Sequence, residues 1–168
     1  MDIFVINIDC SENIEPDLLK SFQKKAFSSD VKLKEHSLAY LMLDRILREV
    51  YAVENREIEY KDKKPYLKNK KKFFSISHSN EYIVLAFSDY ECGVDIEEIK
   101  ERDFQAISKR MKFNSATLEE FYVDWTKYEA EYKLGEKAQG TKCFKLEDYM
   151  IFACSNNKKE KFELFIQN

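Results

Sequence analysis

The chain has 168 residues, 35% of them charged and 14% aromatic, with a net charge of −3; that is enough for one domain with a substantial core, or for two small lobes sharing one. Three glycines and two prolines exclude collagen-like and disordered classes and argue against long flexible linkers, and the charge balance points away from a nucleic-acid partner. No run of about 18 apolar residues occurs, so no membrane span is expected, and no pair among Cys10, Cys92, Cys143 and Cys154 has C-x-x-C spacing, so neither a zinc knuckle nor a thioredoxin-like site is signalled.

Residues 3–8 read as a buried first strand. The N-terminus is too short and too acidic for a signal peptide, so the scattered thiols read as reduced core residues of a cytoplasmic protein. Residues 16–27 place Leu18, Leu19, Phe22 and Phe27 at roughly helical spacing. A stronger helix is expected over 33–51, where Leu38, Leu41, Met42, Ile46, Leu47 and Val50 keep a 3.6-residue period. Ile58 and Tyr60 suggest a short strand. Residues 61–72 hold seven lysines and Pro65 and read as a loop. Residues 73–77 form a strand ending at His78-Ser79-Asn80. Residues 82–87 form another, and 92–96 are expected as its antiparallel partner across an 88–91 turn. A helical segment covers 103–111. A longer helix covers 117–137 and opens on the Thr117-x-x-Glu120 capping-box signature. Two last strands, 149–154 and 162–166, flank an Asn156-Asn157-Lys158 turn. This order predicts an α+β fold, with a boundary near 88–91 dividing the chain into lobes 1–88 and 89–168.

Four groups of residues carry chemical signals. In Gly93-Val94-Asp95-Ile96-Glu97, strand alternation turns Asp95 and Glu97 to one face and Val94 and Ile96 to the other. Paired carboxylates at a strand end suit Mg²⁺, although a solvated acidic edge explains the same pattern. In Trp125-x-x-x-Glu129-x-x-x-Lys133, spacing of four puts all three on one helical face. Glu129 can complete a metal site and Lys133 can meet a phosphate; an ordinary ion pair beside a core tryptophan is the alternative. Ser75-Ile76-Ser77-His78-Ser79 sets between two hydroxyls a histidine able to hydrogen-bond a phosphate. The chain holds two histidines, His36 and His78, too few for a His-rich metal site, and a Ser-His-Asp hydrolase lacks its G-x-S-x-G turn. The lysines of 61–72 form a local positive field able to attract a polyanion, or a solvated loop.

The order of these groups is more specific than any one of them. Lys64-Pro65-Tyr66, then 74–79, then 93–97, then Trp125-Thr126-x-x-Glu129-Ala130-x-x-Lys133 resembles the 4′-phosphopantetheinyl transferases, particularly the type that activates surfactin synthetase. The resemblance runs from about 33 to 133. It implies a pseudo-twofold pair of α+β lobes with coenzyme A in the cleft between them. It implies Mg²⁺ on Asp95, Glu97 and Glu129, and coenzyme A contacts from Lys64, Ser77, His78 and Lys133. His36 takes the place of an arginine usual at the start of the long helix, with Lys32 and Lys34 just before it. Relatives commonly have lysine immediately before the helix glutamate. Here that residue is Tyr128, and Lys127 is one step earlier, about 100° away around the helix. The segment 97–125, a region that helps contact the carrier in relatives, is short; the part beyond 137 is also short, so strands of the second lobe are expected to be lacking.

The activity implied is attack of a serine hydroxyl of an apo acyl or peptidyl carrier protein on the β-phosphorus of coenzyme A, releasing adenosine 3′,5′-bisphosphate. Lys133 and Glu129 are the expected catalytic side chains. Glu129, or water held by the metal, takes the serine proton, and the sequence does not choose between them. A monomer is expected, because both half-sites lie in one chain. The rivals are a transferase-like protein that holds coenzyme A or a carrier without turnover, and a Mg²⁺-dependent phosphoesterase built on the same carboxylates.

Overall fold

The computed structural model describes residues 1–8 and 30–167. The helix expected over 16–27, Cys10, and the side chains of Lys32 and Lys34 lie outside the described residues. The elements, in chain order, are β1 (Asp2–Asn7), α1 (Asp30–Glu49), β2 (Ile58–Lys61), β3 (Lys64–Leu67), β4 (Phe73–Ser79), β5 (Tyr82–Ser88), β6 (Cys92–Glu98), α2 (Phe104–Met111), α3 (Leu118–Leu134), β7 (Gly140–Leu146), β8 (Tyr149–Ser155) and β9 (Glu163–Gln167). The fold is α+β, as expected. Among the described residues no helix is long and apolar enough to cross a membrane.

The strands form a four-stranded sheet ordered β4-β5-β1-β9, a three-stranded sheet ordered β6-β8-β7, and the β2–β3 hairpin. Strand alternation sorts the core into layers. Phe4 and Ile6 of β1 join Leu85 and Phe87 of β5 against Leu38, Leu43, Ile46 and Leu47 of α1. The opposite faces, Ile3, Val5, Val84 and Ala86, meet Val94, Ile96, Ile151 and Ala153 of the second sheet. The far side of that sheet is covered by α3, where Ala130 and Leu134 pack on Phe152 and Cys154, and Phe121 and Tyr122 on Met150. All seven residues of β5 are buried, because the strand is covered on both faces, and that makes its sequence a continuous apolar run.

Four expectations are corrected. Residues 92–96 do not pair with β5. β5 already has β4 on one edge and β1 on the other, so β6 pairs antiparallel with β8 in the second sheet, with Asp95 opposite Phe152. Residues 61–72 are not all loop: β2 and β3 pair antiparallel with Lys61 opposite Lys64. The two turn residues, Asp62 and Lys63, have φ of 49° and 70°, the positive values that fit a tight turn to the twist of its strands. Pro65 fits a two-stranded hairpin, where a missing N–H can face away from the partner. Nor does the second half lack strands. β7 escaped notice because Thr141, Lys142 and Lys145 make it an exposed edge without an apolar run. Finally, the last strand does not stay with its neighbours in sequence: β9 runs parallel to β1 in the first sheet. Cys92 and Cys154 are buried free thiols and Cys143 is a half-buried one. Burial pushes the first two up to about 12, so they behave as inert core groups.

Candidate functional site

The site begins with a glycine. A Cβ at Gly93 would stand 2.0 Å from the Ala130 carbonyl oxygen and 2.9 Å from the Leu134 nitrogen. No side chain fits there, so β6 and α3 approach at backbone contact. α3 itself is well delimited. The Thr117 side chain accepts from Glu120 N–H while the Glu120 carboxylate accepts from Thr117 N–H, and Gly135 closes the helix at φ 82°. Phe121, Tyr122, Thr126, Ala130 and Leu134 form its buried stripe. The adjoining stripe, Trp125, Glu129 and Lys133, borders the β6 face that carries Asp95 and Glu97.

Lys133 is the hub. Its Nζ donates to Asp95 Oδ1 at 2.7 Å, to Ser77 Oγ at 2.9 Å and to the Val94 carbonyl at 3.1 Å. The alternative of a simple Glu129–Lys133 pair along the helix is not what forms; the lysine crosses to β6. Ser77 Oγ donates to Asp95 Oδ1 at 2.7 Å. Asp95 is 5% exposed, and its Oδ2 is buried with no protein partner among the described residues. The Trp125 indole donates to Glu97 Oε1 at 3.2 Å. Burial first, and then the charge of Asp95, hold the Glu97 carboxyl above the ordinary glutamate value. The same causes in the same order raise Glu129. Three carboxylates therefore repel one another across a site whose one bonded cation among the described residues is Lys133. Among the described residues no group of three or more His, Cys, Asp or Glu side chains is gathered closely enough to hold a metal ion. The donor set nonetheless suits a hard divalent cation: an orphaned buried carboxylate oxygen, and two further carboxyls whose charges lack a full counterbalance.

A cavity of about 660 Å³ adjoins this corner, between the β2–β3 hairpin, β4 and the end of α3; Lys61, Lys63, Lys64, Tyr66, Tyr132 and Lys133 are among its lining residues. It is of ordinary size for a small-molecule site. Lys64 is held at its wall by Glu91 Oε2 and the Cys92 carbonyl, both at 3.3 Å, with Nζ 5.0 Å from the Tyr66 ring centre. Of the seven lysines in 61–72, Lys61, Lys63 and Lys64 line the cavity, whereas Lys68 pairs with Glu57 and Lys72 with Asp89. Lys133 therefore belongs both to the lysine-lined cavity and to the carboxylate corner.

The two histidines stand apart from this arrangement. His78 is on β4, 53% exposed, with Nδ1 3.8 Å from Glu35 Oε2. His36 stacks on Tyr40 with ring centres 4.6 Å apart. Neither is in the cavity lining. Sequence reasoning missed Glu35, which reaches His78 only because α1 folds over the first sheet. It also missed Tyr132, exposed and in the cavity lining, which one more turn along the site face of α3 could have suggested.

No family model matches the chain. Over 98 residues it is 33% identical to the 4′-phosphopantetheinyl transferase psf-1 of Bacillus pumilus, a match covering 54% of this chain and 42% of that protein. The chain is a distant relative of a 4′-phosphopantetheinyl transferase. The aligned stretch is less than half the length of that relative. The resemblance drawn from the ordered motifs is thus borne out as a distant likeness to one such transferase.

Proposed function

We propose that the chain transfers the phosphopantetheine arm of coenzyme A to a serine of an apo acyl or peptidyl carrier protein. The observation that carries this reading is Lys133, which joins the Asp95 carboxylate to a cavity of coenzyme-binding size. The cleft lies between lobes 1–88 and 89–168. Their pseudo-twofold relation is supported by a repeated pairing pattern: β1 is antiparallel to β5 of the β4–β5 hairpin, and β6 is antiparallel to β8 of the β7–β8 hairpin.

In this reading the cavity lysines receive the phosphates. Lys64 lies toward the nucleotide end and Lys133 toward the transferred phosphate, where each ammonium offsets anionic charge. His78 on β4 and His36 on α1, which do not line the cavity, would be reached by a part of the ligand that extends beyond it. Asp95, Glu97 and Glu129 would hold Mg²⁺, which supplies positive charge against the pyrophosphate when bound. Glu129 takes the serine proton. The serine oxygen forms its bond to the β-phosphorus as the bond to the departing adenosine bisphosphate breaks.

The test is mass spectrometry of several apo carriers after incubation with the chain, coenzyme A and Mg²⁺. The expected product is a carrier bearing the arm, with Asp95→Ala, Glu97→Ala and Glu129→Ala each folded and strongly impaired. Free phosphopantetheine with unmodified carrier would replace this reading by a phosphoesterase. Near-normal Mg²⁺-dependent turnover in any two of the variants would move the site elsewhere.

A further inference from the structure

The lysine-lined cavity has a carboxylate in its wall. Glu91 is among its lining residues together with Lys61, Lys63, Lys64 and Lys133. Its backbone is fixed: Glu91 ends the turn between β5 and β6, and its carbonyl accepts from Asn156 N–H at 3.2 Å. The same turn carries a second carboxylate. Asp89 pairs with Lys72 at 2.6 Å and is 73% exposed, outside the cavity lining. Glu91 Oε2 instead accepts from Lys64 Nζ at 3.3 Å, where both side chains are largely covered.

Lys64 does not depend on Glu91 alone for its place. Strand alternation along β3 puts Lys64 and Tyr66 on one side, and the ammonium lies 5.0 Å from the Tyr66 ring centre. The Cys92 carbonyl accepts from the same ammonium at 3.3 Å. Both of these holds are neutral, and an ammonium has three N–H donors. What Glu91 adds is negative charge. A phosphate oxygen that reaches Lys64 comes within a few ångström of that carboxylate, and like charges at such separations repel. A partly exposed ion pair contributes little net stability, whereas a phosphate carries more than one negative charge, so the repulsion outweighs the tie.

We propose that Glu91 sets the affinity of the cavity: in the ligand-free protein its carboxylate occupies Lys64, and a ligand phosphate must displace it or bind against its charge. Glu91 thereby weakens the hold on coenzyme A, and equally on a leaving nucleotide that keeps the same phosphate. The identity of that nucleotide rests on the transferase reading above; the competition for Lys64 does not.

Glu91→Gln in the full chain, which keeps the shape and removes the charge, tests it by two readouts. The first is steady-state transfer. Glu91→Gln lowers the coenzyme A KM about 10-fold, the scale of one like-charge contact near a protein surface. In a Lys64→Ala background most of that gain disappears, the coupling expected of two side chains that act on one phosphate. Asp89→Asn removes the same charge from the same turn outside the cavity and leaves KM unchanged. The second readout is calorimetric binding of adenosine 3′,5′-bisphosphate, which requires no turnover. Glu91→Gln binds it more tightly than the parent chain by a similar factor, and Asp89→Asn binds it as the parent does. If Glu91→Gln does not fold, Glu91→Ala carries both measurements. A raised KM would make Glu91 a support for Lys64, and an unchanged one a bystander. An equal gain with and without Lys64, or a matching gain in Asp89→Asn, would make it a general effect of charge; each of these overturns the proposal. A parent chain without transfer would sink the transferase reading, while calorimetry would still decide the competition, and a nucleotide bound by neither parent nor variant overturns it.

Discussion

At the β6–α3 corner Lys133 makes three hydrogen bonds of 2.7 to 3.1 Å to Asp95, Ser77 and the Val94 carbonyl. Across the same cavity, Lys64 of the β2–β3 hairpin makes two, both at 3.3 Å. The corner is tied to the two larger sheets and one helix through a backbone contact at Gly93. The hairpin is a two-stranded unit, a form with little stability of its own, whose turn residues Lys63 and Asp62 are exposed. In the proposed reading, the charge placed against reacting atoms is held by the fold as a whole, and the charge that need only attract a polyanion by a local turn and one carboxylate.

The largest effect expected from this contrast is at Gly93. In Gly93→Ala the new methyl meets backbone atoms of α3 that cannot rotate away, so the helix must move off β6. We expect a loss of about 3 kcal/mol in urea unfolding, the upper part of the range for overpacked cores, and loss of transfer with it. A variant that unfolds like the parent would show that the corner does not depend on this contact.

On the hairpin side the effect is on binding rather than folding. Lys64→Ala is expected to raise the coenzyme A KM about 10-fold, equivalent to about 1.4 kcal/mol, with kcat nearly unchanged. If Lys64 meets the 3′-phosphate, dephospho-coenzyme A is less affected. Equal losses for both ligands would remove that contact, and a fall in kcat alone would erase the distinction between the two regions.

Tyr128 sits beside the corner but outside its bonded network. Its ring is 44% exposed and lies 6.2 Å from Phe113 and 6.3 Å from Trp125, centre to centre. Since Trp125 donates to Glu97, the aromatic contact supports the site at one remove. Tyr128→Lys, which brings in the lysine that the motif resemblance leads one to expect there, is expected to cost about 1 kcal/mol, the scale of such ring contacts, and to lower activity. Thermal melting and kinetics on that variant decide; normal melting with faster turnover would show that added charge outweighs the lost packing.

The smallest effect is a pH dependence of the metal-free protein. Glu97 and Glu129 have folded-state values above the ordinary 4.5. A raised carboxyl favours the folded state while protonated, so this contribution is fully present below 4.5 and is lost as pH rises through the raised values. Melting temperatures across that window should therefore fall with pH, and Mg²⁺ should oppose the fall. The slope should vanish in Glu97→Gln/Glu129→Gln. A slope that persists in the double variant would place its origin outside the corner.

The sequence by itself determined the class of the fold, the three described helices, and most of the strands. It also determined that Asp95 shares a strand face with Glu97, and Glu129 a helix face with Lys133. These follow from periods of 2 and 3.6 and from local signals such as the Thr117–Glu120 box, which act within one element. The tertiary structure decided what period cannot encode. β6 pairs with β8 because β5 has no free edge, β9 returns to β1, and β7 is a strand although its exposed residues show no apolar run. It also decided that the carboxylate face of β6 meets the lysine face of α3, because at Gly93 the two backbones touch. The hydroxyls of Ser75, Ser77 and Ser79 accept from the amides of an edge strand 19 residues further along the chain. An unpaired backbone group takes whatever acceptor the packed sheets bring within reach, and that depends on contacts between distant parts of the chain.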